Sequence, residues 1–140
     1  LGTSFKAKKL EGDGGNKGVS SRVCAVVALA TPADMTVFRM FSSNLAAARL
    51  ISPACYVDKD SAQFLLMHAR GDRLVPYAQS LILQKKLTKV GVAVTLTTIE
   101  SDNHPFWYEV SATARKTVTD TIAFFKKTLK SPKPKPAKKS

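Results

Sequence analysis

The 140-residue sequence predicts an α/β fold in which three parallel strands, at about 23–29, 64–69 and 92–99, alternate with helices. Three observations lead there. Residues 64–67, FLLM, form an unbroken apolar run of the kind found where helices cover both faces of a parallel sheet. Residues 23–29 are apolar and rich in β-branched Val, which suits a central strand. Helical patterns separate the runs, so consecutive strands are joined by crossovers and lie parallel.

Taken in order, residues 1–22 carry Gly2, Gly12, Gly14, Gly15 and Gly18, which oppose any regular element, and read as a connecting loop. The glycine run at 12–18 misses the phosphate-loop pattern, because Lys17 precedes Gly18 instead of following it, and it misses the dinucleotide G-x-G-x-x-G spacing. After strand one, Thr31-Pro32-Ala33-Asp34 ends the sheet segment, and Asp34 is placed to cap a helix over 36–41. A short Ala-rich helix over 44–51 closes at Ser52-Pro53. Strand two leads into a polar turn at 68–74 that carries Asp72. Pro76 then suits the first turn of a helix running to about Lys89, with Leu83, Leu87 and Val90 as its buried stripe and Gly91 as its stop. Strand three, VAVTLTTI, alternates enough to suggest one less well covered face, and the loop at 101–106 carries His104. A last helix is expected over 108–130, with a stripe of Val118, Ile122, Phe125 and Leu129.

Composition fits one domain, residues 1–130, followed by a tail at 131–140. The hydrophobic fraction is 44%, enough for a buried core without metals or disulfides. The longest apolar stretch, residues 23–30, is far shorter than the ~18 residues that span a bilayer. The opening LGTSFKAKK has no initiator Met and no signal-peptide pattern, and reads as a cut end. Cys24 and Cys55 are expected to be buried thiols, not a bridge. The net charge of +12 is concentrated at one end: residues 126–139 hold seven of the 22 basic residues and no acid, leaving the body at +5. The tail SPKPKPAKKS can bury nothing and is expected to be extended, solvated and disordered. It serves as a solubilising end, or else holds phosphates or an anionic surface with steep salt dependence. A dedicated nucleic-acid-binding domain is disfavoured by the mildly basic body and the lack of a recognised module.

In open α/β sheets the loops leaving the carboxyl ends of strands face the ligand. Asp72 and His104 occupy two such loops on neighbouring strands. A carboxylate there can accept the imidazole N–H, fix its tautomer and stabilise the imidazolium formed during proton transfer. The pair has an acid and a base but no nucleophile.

The segment His68-Ala69-Arg70-Gly71-Asp72-Arg73-Leu74-Val75-Pro76 resembles the H-G-x-x-D-x-x-V-P segment of α/β-hydrolases, in the esterase and lipase group that includes BD-FAE-like and prolyl-oligopeptidase-like enzymes. The segment Ser101-Asp102-Asn103-His104-Pro105-Phe106 is similar to their G-x-G-H-x-F segment. Shorter matches begin at Glu11, Ser20, Pro32, Ser52 and Lys89, so the similarity covers residues 1–129. It implies the C-terminal portion of an α/β-hydrolase fold, with Asp72 as triad acid, His104 as general base and His68 as a structural position at the strand end. Ala69 stands in place of the usual Gly, Thr31 in place of a Gly before the Pro, and Pro105 in place of the Gly after the base.

The G-x-S-x-G nucleophile elbow of these enzymes precedes the segment matching residues 1–4, and the chain contains no such motif. Gly18-Val19-Ser20 has half of it, but Arg22 takes the last Gly position and the serine precedes a strand. Ser111 falls on the last helix and Ser52 in a Pro turn. Loss of the nucleophile alone costs on the order of a million-fold in turnover. The chain is therefore expected to be inactive alone, as a fragment of a serine carboxylic-ester hydrolase whose Ser lies outside it. Its implied partners are a small ester substrate and the missing N-terminal part of the fold, without metal or organic cofactor. A serine peptidase of prolyl-oligopeptidase type is the alternative within enzymes, and a catalytically dead binding module with a basic tail is the alternative outside them. Trp107 and Tyr108 are candidates for an acyl or aryl pocket or for core packing. The outer edge of strand one is expected to be open and apolar.

Overall fold

The computed structural model describes residues 1–12, 14, 15, 18–108 and 110–129. A three-stranded parallel sheet in the order β1-β2-β3 forms its centre: β1 is Ala25–Leu29, β2 Gln63–Ala69 and β3 Val94–Ile99. Each strand sits within two residues of its expected place. Central β2 is paired on both sides, with Leu65 opposite Val27 and Thr95, and its six residues from Phe64 to Ala69 are buried. A strand covered on both faces has no polar side to present, which is why FLLM reads as a continuous run.

Among the described residues three α-helices flank the sheet: α1 (Leu45–Leu50), α2 (Ala78–Lys89) and α3 (Ala112–Thr128). One face of the sheet, Val26, Ala28, Phe64, Leu66, Val94 and Leu96, packs with Leu83 and Leu87 of α2. The other face, Val27, Leu29, Leu65, Met67 and Ala69, packs with Phe124 of α3 and with Phe106. Strict alternation along β2 thus feeds two separate cores.

Helix α2 begins at Ala78, two residues beyond Pro76, and ends as expected. Gly91 has φ +77°, its N–H bonds Thr88 O and the Val92 N–H bonds Leu87 O. These two bonds make a Schellman motif, which needs a left-handed residue and so favours Gly at that position.

Several expectations are corrected. The helix expected over 36–41 is two 3₁₀ turns, Met35–Val37 and Arg39–Phe41, separated by Phe38 in an extended conformation. Thr36, Val37 and Phe38 are poor helix formers, and the segment is too short for packing to override them. Asp34 still caps, accepting the Thr36 N–H at 3.0 Å. Helix α3 starts at Ala112, not 108, because Ser111 is extended and its Oγ accepts the Ala114 N–H at 3.1 Å. Its inward residues are Ala114, Thr117 and Phe124, whereas Val118, Ile122 and Leu129 of the expected stripe are half exposed. Both cysteines are free and exposed: Cys24 lies one residue ahead of β1, and Cys55 ends a 3₁₀ turn. The start of the chain is more than a loop. Residues 8–10 form a 3₁₀ turn, Gly2 and Thr3 are buried, and the Gly2 carbonyl accepts the Ala62 N–H at 2.8 Å. Asp13, Asn16 and Lys17 of the glycine run, and the tail at 131–140 read as disordered, lie outside the described residues.

Among the described residues, β1 pairs only with β2, so its other edge has no strand beside it. No helix among them is long and apolar enough to cross a membrane.

Candidate active site

The β2–β3 ladder carries straight on into the two loops that leave its carboxyl end. His68 lies opposite Thr98 and Ala69 opposite Ile99; then the Arg70 N–H bonds Ile99 O at 2.8 Å and the Gly71 N–H bonds Ser101 O at 3.0 Å. The acid loop is therefore stitched to the base loop by backbone. A Cβ on Gly71 would fall 1.8 Å from Asp102 Oδ1 and 3.2 Å from Asp102 Cα, so this approach requires a residue without one. Side chains add to the seam: Tyr77 Oη lies 2.6 Å from Thr98 Oγ1, and Arg70 Nε donates to both oxygens of Glu100.

Asp72 and His104 are brought together across that seam. The Asp72 side chain is fully buried, and its Oδ2 lies 2.7 Å from His104 Nδ1. Its Oδ1 accepts the N–H groups of Leu74 at 2.9 Å and Val75 at 2.8 Å, so the carboxylate closes its own turn. Burial alone pushes the Asp72 carboxyl up, but the Val75 N–H, His104 and the Leu74 N–H together outweigh it and hold the group below the usual carboxylate range. A carboxylate that stays ionised accepts a proton-bearing Nδ1. The other ring nitrogen, Nε2, is then the one available for proton transfer. The His104 side chain is 26% exposed, so the imidazole remains reachable.

Trp107 stands edge-on to His104 with ring centroids 5.6 Å apart, and edge-on to buried Phe106. It thus steadies the base against the second core. Tyr108 is 84% exposed and packs in neither core. Ser52, weighed as a substitute nucleophile, is buried, with its Oγ donating to Ala48 O and accepting from the Met35 N–H. Ser111 is the cap of α3. Neither hydroxyl is presented on a strand-to-helix turn. Among the described residues no group of three His, Cys, Asp or Glu is placed to hold a metal ion. A cavity of about 270 Å³, lined by Leu1, Gly2, Val26, Ile51, Phe64 and Leu83 among others, lies away from this pair and includes neither member of it.

Two buried polar residues on the first turn of α2 escaped sequence reasoning. Gln79 Oε1 accepts the N–H groups of Ala33 at 2.9 Å and Asp34 at 2.7 Å, which fixes the loop after β1. Ser80 Oγ lies 2.7 Å from His68 Nδ1, and His68 Nε2 lies 2.8 Å from Val75 O. Polar residues on the inward side of an amphipathic helix are the only signal the sequence offered.

A parallel sheet with helices on both faces, and a carboxylate–imidazole pair on adjacent strand ends, agree with the α/β-hydrolase class to which the family match assigns the chain. More particularly, residues 30–132 match the prolyl oligopeptidase family model, and the chain belongs to that family. By family it is a hydrolase of the α/β type. No curated protein matches the chain. Among solved structures, its fold is similar to esterase 2 of Thermogutta terrifontis, at 17% identity and TM-score 0.74 over 89% of this chain and 48% of that one. It is similar to an acetyl ester-xyloside bifunctional hydrolase from Caldicellulosiruptor lactoaceticus, at 18% identity and TM-score 0.71 over 84% and 47%. A truncated carbohydrate esterase from gut microbiota aligns at 24% identity and TM-score 0.60 over 80% and 45%. The chain spans less than half the length of each of these three.

Proposed function

We propose that this chain supplies the acid and base of a serine carboxylic-ester hydrolase, with the nucleophilic Ser provided by polypeptide outside residues 1–140. The observation that carries this reading is the 2.7 Å contact between Asp72 Oδ2 and His104 Nδ1 at the ends of adjacent parallel strands. In the proposed cycle the serine hydroxyl gives its proton to His104 Nε2 as its oxygen attacks the ester carbonyl. The imidazolium, paired with Asp72, returns the proton to the leaving alcohol, and water repeats both steps to release the acid. Similarity to three esterases or ester-cleaving enzymes favours an ester over a peptide bond. The missing part of the fold is a partner in this reading, and the edge of β1 that pairs with no strand among the described residues is where its sheet would continue.

Two measurements test it. The 140-residue chain alone is expected to show no labelling by an organophosphate serine probe. That class of reagent is apt because the Thermogutta esterase is known in a form phosphorylated by paraoxon. In a polypeptide that also carries a G-x-S-x-G segment ahead of Leu1, short p-nitrophenyl esters should be cleaved, and H104A should lower kcat on the order of a million-fold. Full activity in that variant, or labelling of the isolated chain, removes the proposal.

The second reading is a serine peptidase of prolyl-oligopeptidase type, favoured by the family match over residues 30–132. Cleavage of a prolyl p-nitroanilide in preference to the esters would select it.

A further inference from the structure

We propose that His68 is a positioning residue, which orients the Asp72 carboxylate and through it holds His104 in the Nδ1–H tautomer. This proposal rests on the acid–base reading of Asp72 and His104. His68 is fully buried at the end of β2, and its ring links three elements: Ser80 on α2, the backbone of the acid turn at Val75, and the acid itself. Its Nε2 lies 3.3 Å from Asp72 Oδ2, the same oxygen that His104 contacts.

The proton positions follow from the partners. The Val75 carbonyl can only accept, so Nε2 carries a hydrogen. In the neutral ring Nδ1 is then an acceptor, and the Ser80 hydroxyl donates to it. The Val75 carbonyl thereby selects the tautomer that aims an N–H at the mouth of the acid turn, where Asp72 Oδ2 also sits, and the Ser80 hydroxyl adapts to it as donor. The two backbone N–H groups fix only Oδ1, leaving the carboxylate plane to be set from the Oδ2 side. Two imidazoles meet there, one buried and one partly exposed. Tyr77, edge-on at 5.7 Å, closes the remaining side of the His68 ring. The nearby charges, Arg70 with Glu100 and Arg73 with Asp102, are side chains at the surface and are paired with each other. Asp72 is thus the carboxylate that couples the two rings.

A satisfied core histidine with no effect on the site would make the same two hydrogen bonds, so the test must read His104 and not stability. The chain has only two histidines, which makes ¹⁵N imidazole spectra of the whole 140-residue protein assignable. In the unsubstituted chain the His68 Nε2–H resonance is expected to move as His104 is titrated, and to stop responding in D72N. A His68 signal silent to that titration overturns the proposal. In H68F and H68N the ratio of Nδ1–H to Nε2–H tautomer at His104 should fall about threefold or more, while H68Q, whose amide nitrogen can occupy the Nε2 position, should retain it. Folded H68F or H68N with an unchanged ratio, or H68Q behaving like H68F, also overturns it. Should H68F and H68N fail to fold by circular dichroism, the titration of the unsubstituted chain decides. The acid–base reading fails separately, by turnover that survives H104A in a complete enzyme, a result that leaves these spectra untouched.

Discussion

Asp72 divides its two oxygens between two tasks: Oδ1 takes the N–H groups of Leu74 and Val75, and Oδ2 takes Nδ1 of His104 at 2.7 Å. One buried side chain therefore shapes the turn that holds it and orients the imidazole across the seam. Changes at this residue should be visible in both places.

The variant D72N separates the two tasks. Two N–H groups demand the amide oxygen at the turn, which leaves the amide NH₂ facing His104. An NH₂ donor cannot accept from Nδ1–H, so His104 should shift to the Nε2–H tautomer in ¹⁵N spectra. Loss of the charged acceptor at the turn should cost about 1–3 kcal/mol in urea unfolding. An unchanged His104 tautomer in folded D72N would contradict the geometry.

Acid should destabilise the chain through Asp72. Its carboxyl is held below the usual range, so the folded state binds that proton less readily than the unfolded chain. The resulting stability is fully present above the unfolded value of about 3.9 and is lost as pH falls through the lower folded value. Urea midpoints measured from pH 6 to pH 2 should decline mainly below about pH 4, and more gently in D72N. A midpoint flat across that interval would count against the ionised, hydrogen-bonded carboxylate.

Both thiols should react in the native state. Cys24 and Cys55 are exposed and unpaired, so a disulfide-exchange reagent should titrate two thiols per chain without denaturant. Modification that requires urea would restore the buried-thiol expectation.

The two apolar stripes flanking the sheet should respond differently to substitution. Leu87 on α2 is fully buried, and L87A should cost about 2–5 kcal/mol. Ile122 on α3 is 49% exposed, and I122K should change stability by only about 0.5 kcal/mol. A large loss in I122K would mean that this face of α3 is covered in solution.

The parts legible in the sequence are those where local chemistry has a single solution. FLLM, a short apolar run between polar turns, suits a strand buried on both faces, Gly91 supplies a left-handed stop, and the loops holding Asp72 and His104 follow from the strand ends. Where a segment's form depends on what packs against it, sequence alone misled. The α3 stripe of Val118, Ile122 and Leu129 has correct helical spacing, yet Ala114, Thr117 and Phe124 face the sheet. Periodicity gives a stripe but not its partner. The 3₁₀ turns at residues 35–41 and the exposure of both cysteines likewise reflect neighbours that propensity does not see. Ser80 and Gln79 were hidden for another reason: a buried polar residue becomes informative only once its partner, distant in sequence, is known.

Gln79 and Ser80 are consecutive, yet they reach different loops, one bonding the N–H groups of Ala33 and Asp34 and the other His68 beneath the acid turn. Unwinding a single turn at the start of α2 would release both at once. The loops after β1 and β2 should therefore open and close as one cooperative unit, and hydrogen exchange at the Ala33, Asp34 and Val75 amides is expected to report a common free energy.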